Sequence, residues 1–201
     1  MKPFSQACEN NKDAILSVIT PLLKDKNNLL EVGSGTGQHA VYFSERLPHI
    51  HWQTSDMKEN HEGINLWIDD ASFQQGSKNI ERPIEIDVLN YQWLKQSYDA
   101  IYSANTAHIM SWRAVEAFFQ GVGETLNDGG LFILYGPFNY DGKFTSDSNE
   151  RFEQWLKEFD IERGIRDYEA VNHLAEENGM KLLQDYGMPA NNRILVWKKY
   201  C

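Results

Sequence analysis

Apolar residues along this chain recur with two periods, and the switches between them mark out the elements. Ile15, Val18, Ile19, Leu22 and Leu23 fall at helical spacing and predict a helix over 11–24 that Pro21 kinks or ends. Residues 28–32 predict a short buried strand that runs into a glycine loop. Ala40, Val41, Phe43 and Leu47 predict a helix over 37–47, closed by Pro48. A strand over 50–55 ends at Asp56, and a helix over 59–71 follows it. A third strand is expected over 83–88, carrying Asp87, and a fourth over 98–105. The run WRAVEAFFQGVGETL predicts a long helix, stopped by Asn127, Asp128, Gly129 and Gly130. LFILYGPF predicts a fifth, strongly apolar strand, and 139–150 a polar, turn-rich segment. Helices at about 148–159 and 167–178 lead to two strands, MKLLQDYG and RILVWKKY, joined by MPANN.

Strands alternating with helices imply a parallel sheet with helices on both faces. The last two strands have too short a connection for a parallel crossover, so they pair antiparallel. The expected fold is therefore α/β and Rossmann-like: a doubly wound, mostly parallel seven-stranded sheet with a C-terminal antiparallel hairpin. Residues 1–201 read as one domain, without repeats or interdomain linkers.

The stretch NLLEVGSGTGQH places Glu31 at the end of the first strand and then alternates Gly33, Gly35 and Gly37. A tight strand-to-helix turn explains it, and so does a loop lying close against a ligand. The dinucleotide fingerprint G-x-G-x-x-G fails, because Gln38 stands where its third glycine belongs. A nucleophile elbow fails as well, since Val32 precedes Ser34 by two residues.

Composition narrows the function classes. The net charge of −10 is spread over both halves without a basic stripe, which argues against a nucleic-acid partner. Cys8 and Cys201 lack metal-ligand spacing and read as free thiols. No leader-like or membrane-spanning apolar run is present in the sequence, so a cytoplasmic location is expected.

Ligands of open α/β sheets bind at the carboxyl ends of the strands. The glycine loop, Asp56 and Asp87 fall at three such ends. Backbone N–H groups of the loop suit a carboxylate or phosphate. Asp56, 19 residues past Gly37, suits ribose hydroxyls. Asp87 suits an exocyclic amine such as adenine N6, and Met57 and Val88 are apolar enough to sandwich a purine. Each acid alone reads better as a helix cap, but together they point to an adenosine ligand.

The E-x-G-x-G-x-G loop and the final hairpin resemble the class I S-adenosylmethionine-dependent methyltransferases. NNKDAIL, LLEVGSGTGQHA, WQTSD, NTAHI, LYGPFNYDGK, SNERFE, GIRD and MPANN resemble one group from end to end. It is the methyltransferase-like family that includes human methyltransferase-like protein 26. The resemblance implies S-adenosylmethionine as cofactor, held by Glu31, Gly33, Ser34, Gly35, Gly37, Asp56, Met57, Asp87 and Val88. This chain has Asn10 where the family has Arg, Ala14 where it has Pro, and Arg163 where it has Trp.

Methyl transfer needs positioning first and a base only if the acceptor loses a proton. The candidates follow strand four: His108 as base and Asn105 as a hydrogen-bonding partner. Trp112, Tyr135 and Tyr140 are expected near the substrate. Arg166 with Asp167 reads as an internal ion pair ahead of an anchor for an anionic substrate, Asn191 and Asn192 as turn-formers, and Trp52, Trp67, Trp93 and Trp155 as packing residues. The short, mildly acidic segment 138–150 suits a small acceptor, and the net charge favours a neutral or cationic one. A non-catalytic S-adenosylmethionine-binding protein acting through a partner is the rival reading, and a nicotinamide-dependent oxidoreductase is disfavoured by Gln38 and the hairpin.

Overall fold

The computed structural model describes residues 1–75, 79–90 and 96–200. Trp93 and Cys201 lie outside the described residues. Helix α1 spans Gln6–Leu22 and begins earlier than the apolar pattern suggests. Its first turn is polar, and the start is set by Ser5, whose hydroxyl accepts the Cys8 N–H at 3.3 Å. Strand β1 (Asn28–Val32) leads through the glycine loop into α2 (Gln38–Arg46). Strand β2 (His51–Asp56), a 3-10 turn (Lys58–Asn60), α3 (His61–Gln75), β3 (Ile80–Glu85) and β4 (Tyr98–Ala104) follow. Strand β3 starts and ends about three residues before the expected 83–88, so Asp87 stands two residues beyond its end. Pro83 inside β3 is tolerated because β3 is an edge strand, where a missing N–H breaks no ladder.

Helix α4 (Trp112–Thr125), β5 (Leu126–Gly136), β6 (Phe138–Asn139) and α5 (Asp147–Phe159) come next. The chain ends with β7 (Arg166–Asp167), α6 (Tyr168–Glu177), β8 (Met180–Met188) and β9 (Asn192–Lys199). Among the described residues the main sheet runs β3-β2-β1-β4-β5-β9-β8. Strands β1, β2, β3 and β4 pair parallel, while β9 pairs antiparallel with both β5 and β8. The α/β fold and its C-terminal antiparallel hairpin are thus as the sequence pattern predicts. The parallel pair β6–β7 has no counterpart in that pattern, because two-residue strands carry no periodicity.

The chain divides into two compact units: Met1–Asp87 with Tyr98–Ser103, and Val88–Ser97 with Ala104–Cys201. The core of the first holds Leu29, Leu30, Phe43, Trp52, Ile101 and Tyr102, all inaccessible to solvent. Phe43 lies 5.8 Å from both Trp52 and Tyr102, edge-on to the latter. The core of the second is built on Phe118, Phe119, Phe132 and Trp197, with Trp197 stacked on Phe132 at 5.4 Å. Trp155 departs from the expectation of packing: it is half exposed on α5.

Gly37 joins the loop to α2 at φ +89°, and a Cβ there would stand 3.1 Å from the Ile64 backbone. A side chain at this position meets both left-handed strain and overpacking. Gly142 has a similar φ of +66° but nothing within 4 Å. Gly37→Ala is expected to cost about 2–4 kcal/mol in urea unfolding, against about 1 kcal/mol for Gly142→Ala. Equal losses would remove the close approach to Ile64 as the reason for glycine.

Candidate functional site

The loop after β1 is built around a buried carboxyl. Glu31 Oε2 accepts the Ser34 hydroxyl at 2.9 Å and the Trp52 indole N–H at 3.1 Å, and the residue is 2% exposed. Ser34 Oγ in turn accepts the Ser55 N–H at 3.2 Å, and Ser55 Oγ donates to the Glu31 carbonyl at 2.6 Å. Burial pushes the Glu31 carboxyl up to about 7, against the Trp52 and Ser34 hydrogen bonds that lower it. Glu31 and Ser34 therefore serve the scaffold of the loop itself.

Gly33, Gly35 and Gly37 all have positive φ. The N–H groups of Gly33 and Ser34 both donate to the Ser55 carbonyl, and that of Gly37 to the Ser34 carbonyl. The Gly35 N–H donates to Asp56 Oδ2 at 2.7 Å. These four donors, expected to face an anion, are spent inside the protein. What remains at the loop is room: nothing lies within 4 Å of where a Gly35 Cβ would stand.

Asp56 closes this arrangement at the end of β2. Its Oδ1 accepts the Met57 N–H and the Asn60 amide, each at 2.7 Å, and the side chain is nearly buried. Oδ2 carries the single bond from Gly35 and has capacity for another donor. The Ile86 N–H donates to the Asp56 carbonyl at 3.2 Å, tying the ends of β2 and β3 together. Met57 is exposed, and Asp87 and Val88 are each half-buried. One contact had no signal in the sequence. Gln38 Oε1 accepts the Ser5 N–H at 2.5 Å, and its Nε2 donates to the Ser5 carbonyl at 3.4 Å. The residue that breaks the dinucleotide fingerprint thus clamps the N-terminal segment to the loop.

The segment after β4 forms a separate cluster. Asn105 takes φ +60°, a conformation Asn tolerates better than most residues, and its N–H donates to the Tyr135 carbonyl at 2.9 Å. His108 is 7% exposed and edge-on to Phe152 at 5.2 Å. Burial, then the charges of Arg166 and Arg163, bring its imidazole down to about 4. The ring is neutral at pH 7 and a weak base. Arg166 does not pair with Asp167 among the described residues. It donates to the carbonyls of Ala107, Met110 and Glu162, clamping the 107–110 turn, and lies 5.9 Å from the Trp112 ring.

Tyr135 is almost fully buried. The Tyr140 hydroxyl donates to Asp185 at 2.7 Å, and Arg193 donates to the same carboxylate at 2.8 Å. Burial and Asp185 raise the Tyr140 phenol well above its ordinary value, and its ring stacks on Tyr168 at 5.2 Å. Tyr140 anchors the final hairpin rather than presenting a free hydroxyl. Trp112, by contrast, is exposed. Asn191 takes φ +58° and Asn192 donates to the Pro189 carbonyl, as turn-formers do. Among the described residues, the side-chain atoms Thr125 Oγ1, Asn139 Oδ1 and Arg163 Nε are buried without a hydrogen-bond partner. Among the described residues no cluster of His, Cys, Asp and Glu suits a metal ion. None of the described helices is long and apolar enough to cross a membrane.

A family model described as "Protein of unknown function (DUF938)" matches residues 2–199. The chain belongs to that family. Among solved structures it is similar to an O-methyltransferase family protein from Burkholderia thailandensis, with 12% identity and a TM-score of 0.77 over 96% of this chain and 60% of that one. It is also similar to human N-acetylserotonin methyltransferase in complex with SAM, with 14% identity and a TM-score of 0.78 over 98% and 53%. PigF with SAH matches at 15% identity and a TM-score of 0.72 over 88% and 51%. At these identities the likeness is one of fold, the fold of S-adenosylmethionine-dependent methyltransferases. The chain spans about half to three fifths of the length of these structures.

The buried titratable groups set a pH signature. Glu31, raised from 4.5 to about 7, stabilises the fold below pH 4.5, and that contribution is lost between pH 4.5 and 7. His39 and His108, both lowered from 6.5 to about 4, contribute stability present above pH 6.5 and lost as the pH falls toward 4. Two histidines outweigh one carboxyl, so the Glu31 contribution is read by difference. The stability advantage of the native chain over Glu31→Gln is expected to be about 3 kcal/mol larger at pH 4.5 than at pH 8 in urea unfolding. An advantage independent of pH would mean that Glu31 titrates as an ordinary carboxyl.

Proposed function

We propose that this chain is a class I S-adenosylmethionine-dependent methyltransferase, a single domain over residues 1–201, acting in the cytoplasm on a small-molecule acceptor. One observation carries the reading. At the carboxyl ends of parallel strands, three left-handed glycines leave open space at Gly35, and Asp56 at its edge retains hydrogen-bonding capacity. The space and the spare acceptor capacity of Asp56 fit an adenosyl ligand. Gly33, Gly35 and Gly37 would seat its methionine part, Asp56 and Met57 its ribose, and Asp87 with Val88 its adenine. Glu31 and Ser34 hold the loop in shape for it. The resemblance to the family of human methyltransferase-like protein 26 supports the same activity class, as do the SAM and SAH bound in two of the similar structures.

When bound, S-adenosylmethionine would supply an electrophilic methyl group to an acceptor lone pair. The protein's part is to position the acceptor and exclude water. Asn105 and His108 are the groups after β4 suited to this. The neutral imidazole takes a proton from an acceptor that sheds one, at the modest driving force its low basicity allows. In the rival reading the chain binds the cofactor without turning it over. Transfer of label from methyl-labelled S-adenosylmethionine to the low-molecular-weight fraction of an extract decides between them; cofactor binding without labelled product supports the rival.

Two variants separate the roles. Asp87→Ala is expected to weaken S-adenosylhomocysteine by roughly 1–3 kcal/mol in calorimetry. Unchanged affinity would remove Asp87 from the adenine site. His108→Ala is expected to lower kcat by roughly 10²-fold or more while cofactor affinity stays nearly constant. Equal loss of both would make His108 structural.

A further inference from the structure

The N-terminal segment is held to its own unit without burying a side chain. From Met1 to Ala14 no side chain is buried, and Ile15 is the first that is. Phe4 faces solvent. Lys2 Nζ donates to Asp70 at 2.5 Å and lies 3.7 Å from the centre of the Trp67 ring. The Trp67 indole N–H donates to the Pro3 carbonyl at 2.7 Å, and Ser5 meets Gln38 through both its N–H and its carbonyl. Water replaces such contacts at small net cost. Between the segment, α2 and α3 lies a cavity of about 260 Å³, whose walls include Lys2, Cys8, Gln38, His39, Trp67 and Ala71. Few buried apolar contacts and exposed hydrogen bonds mark a segment of low local stability.

The inner end of this segment lies on the glycine loop. Gln38 Oε1, which accepts the Ser5 N–H, also accepts the Thr36 hydroxyl at 3.1 Å. One amide thus joins the segment to the residue next to Gly35. Burial raises the Cys8 thiol, against the Ser5 and Thr36 hydroxyls beside it, so Cys8 rests on the same loop. Beyond it, Asn11 Oδ1 pairs with the buried His39 at 2.7 Å, which fixes α1 to α2 from there on. Residues 2–8 are the part able to lift. They are anchored on α3 at one end and on the loop at the other.

Resting on the adenosyl reading of the loop, we propose that residues 2–8 form a hinged cover for the glycine-loop site, latched by Gln38. The cover lifts to let the adenosyl ligand enter and leave, and it closes once the ligand is bound. The ligand shifts this equilibrium because it touches the closed cover and loses that contact in the open one. Gln38 suits the part of a latch. Its bonds to Ser5 exist only while the cover is shut, and it takes no part in the Glu31–Ser34–Ser55 network that shapes the loop. Losing the latch therefore opens the cover and leaves the loop in place.

Cys8 is half-buried against the loop and reports the opening. Cys201→Ser leaves it as the chain's single thiol. In that background the rate of Cys8 alkylation by iodoacetamide is followed by mass spectrometry, and S-adenosylhomocysteine association and dissociation by stopped flow. S-adenosylhomocysteine is expected to slow the alkylation at least fivefold. Gln38→Ala is expected to speed it at least fivefold without ligand, and to raise both the association and the dissociation rate at least threefold. Trp67→Phe removes the Pro3 anchor at the far end of the segment and is expected to move all three rates the same way, at least twofold. Alkylation unchanged in both variants, or unchanged by the ligand, would overturn the cover. Faster dissociation without faster association would mean a deformed loop and would overturn it too. A native chain that binds no S-adenosylhomocysteine contradicts the adenosyl reading itself, and this inference falls with it.

Discussion

The Glu31 carboxyl receives the Ser34 hydroxyl and the Trp52 indole N–H in a space that water does not reach, and the position of the glycine loop follows from it. Ser34 passes the constraint to Ser55, and Ser55 returns it to the Glu31 backbone, so the ends of β1 and β2 are locked by side chains as well as by the parallel ladder. With the loop so fixed, its own N–H groups are consumed by the Ser55 and Ser34 carbonyls and by Asp56. The loop is therefore shaped before any ligand arrives, which lowers the ordering cost of binding.

The strand and helix alternation was readable because buried parallel strands leave continuous apolar runs and their helices leave helical spacing. The hairpin was readable from the shortness of MPANN alone. The α1 start at Gln6 was not, since a polar first turn capped by Ser5 has no apolar period. Nor was the end of β3 at Glu85, since PIEIDV alternates as a strand does, and which of its residues pair is decided by β2.

At the candidate site, residue types were legible and their partners were not. The glycine spacing announced a close approach, but whether the N–H groups faced a ligand or Ser55 depends on tertiary contacts. Tyr140 was a reasonable substrate candidate by position, and Asp185, 45 residues away, claimed its hydroxyl. Arg166 sits beside Asp167 in sequence and is instead drawn to the carbonyls of the 107–110 turn, which offer several acceptors for one guanidinium.

The central claim is that the space at Gly35 belongs to an adenosyl ligand. The most direct measurement is calorimetric titration of the native chain and of Gly35→Ala with S-adenosylhomocysteine. The variant's methyl group meets no protein atom within 4 Å, so its fold survives at the modest cost of a left-handed alanine. The account predicts one site per native chain and affinity at least tenfold weaker in Gly35→Ala, with cooperative unfolding retained. No binding to the native chain, or equal binding by both, would contradict it.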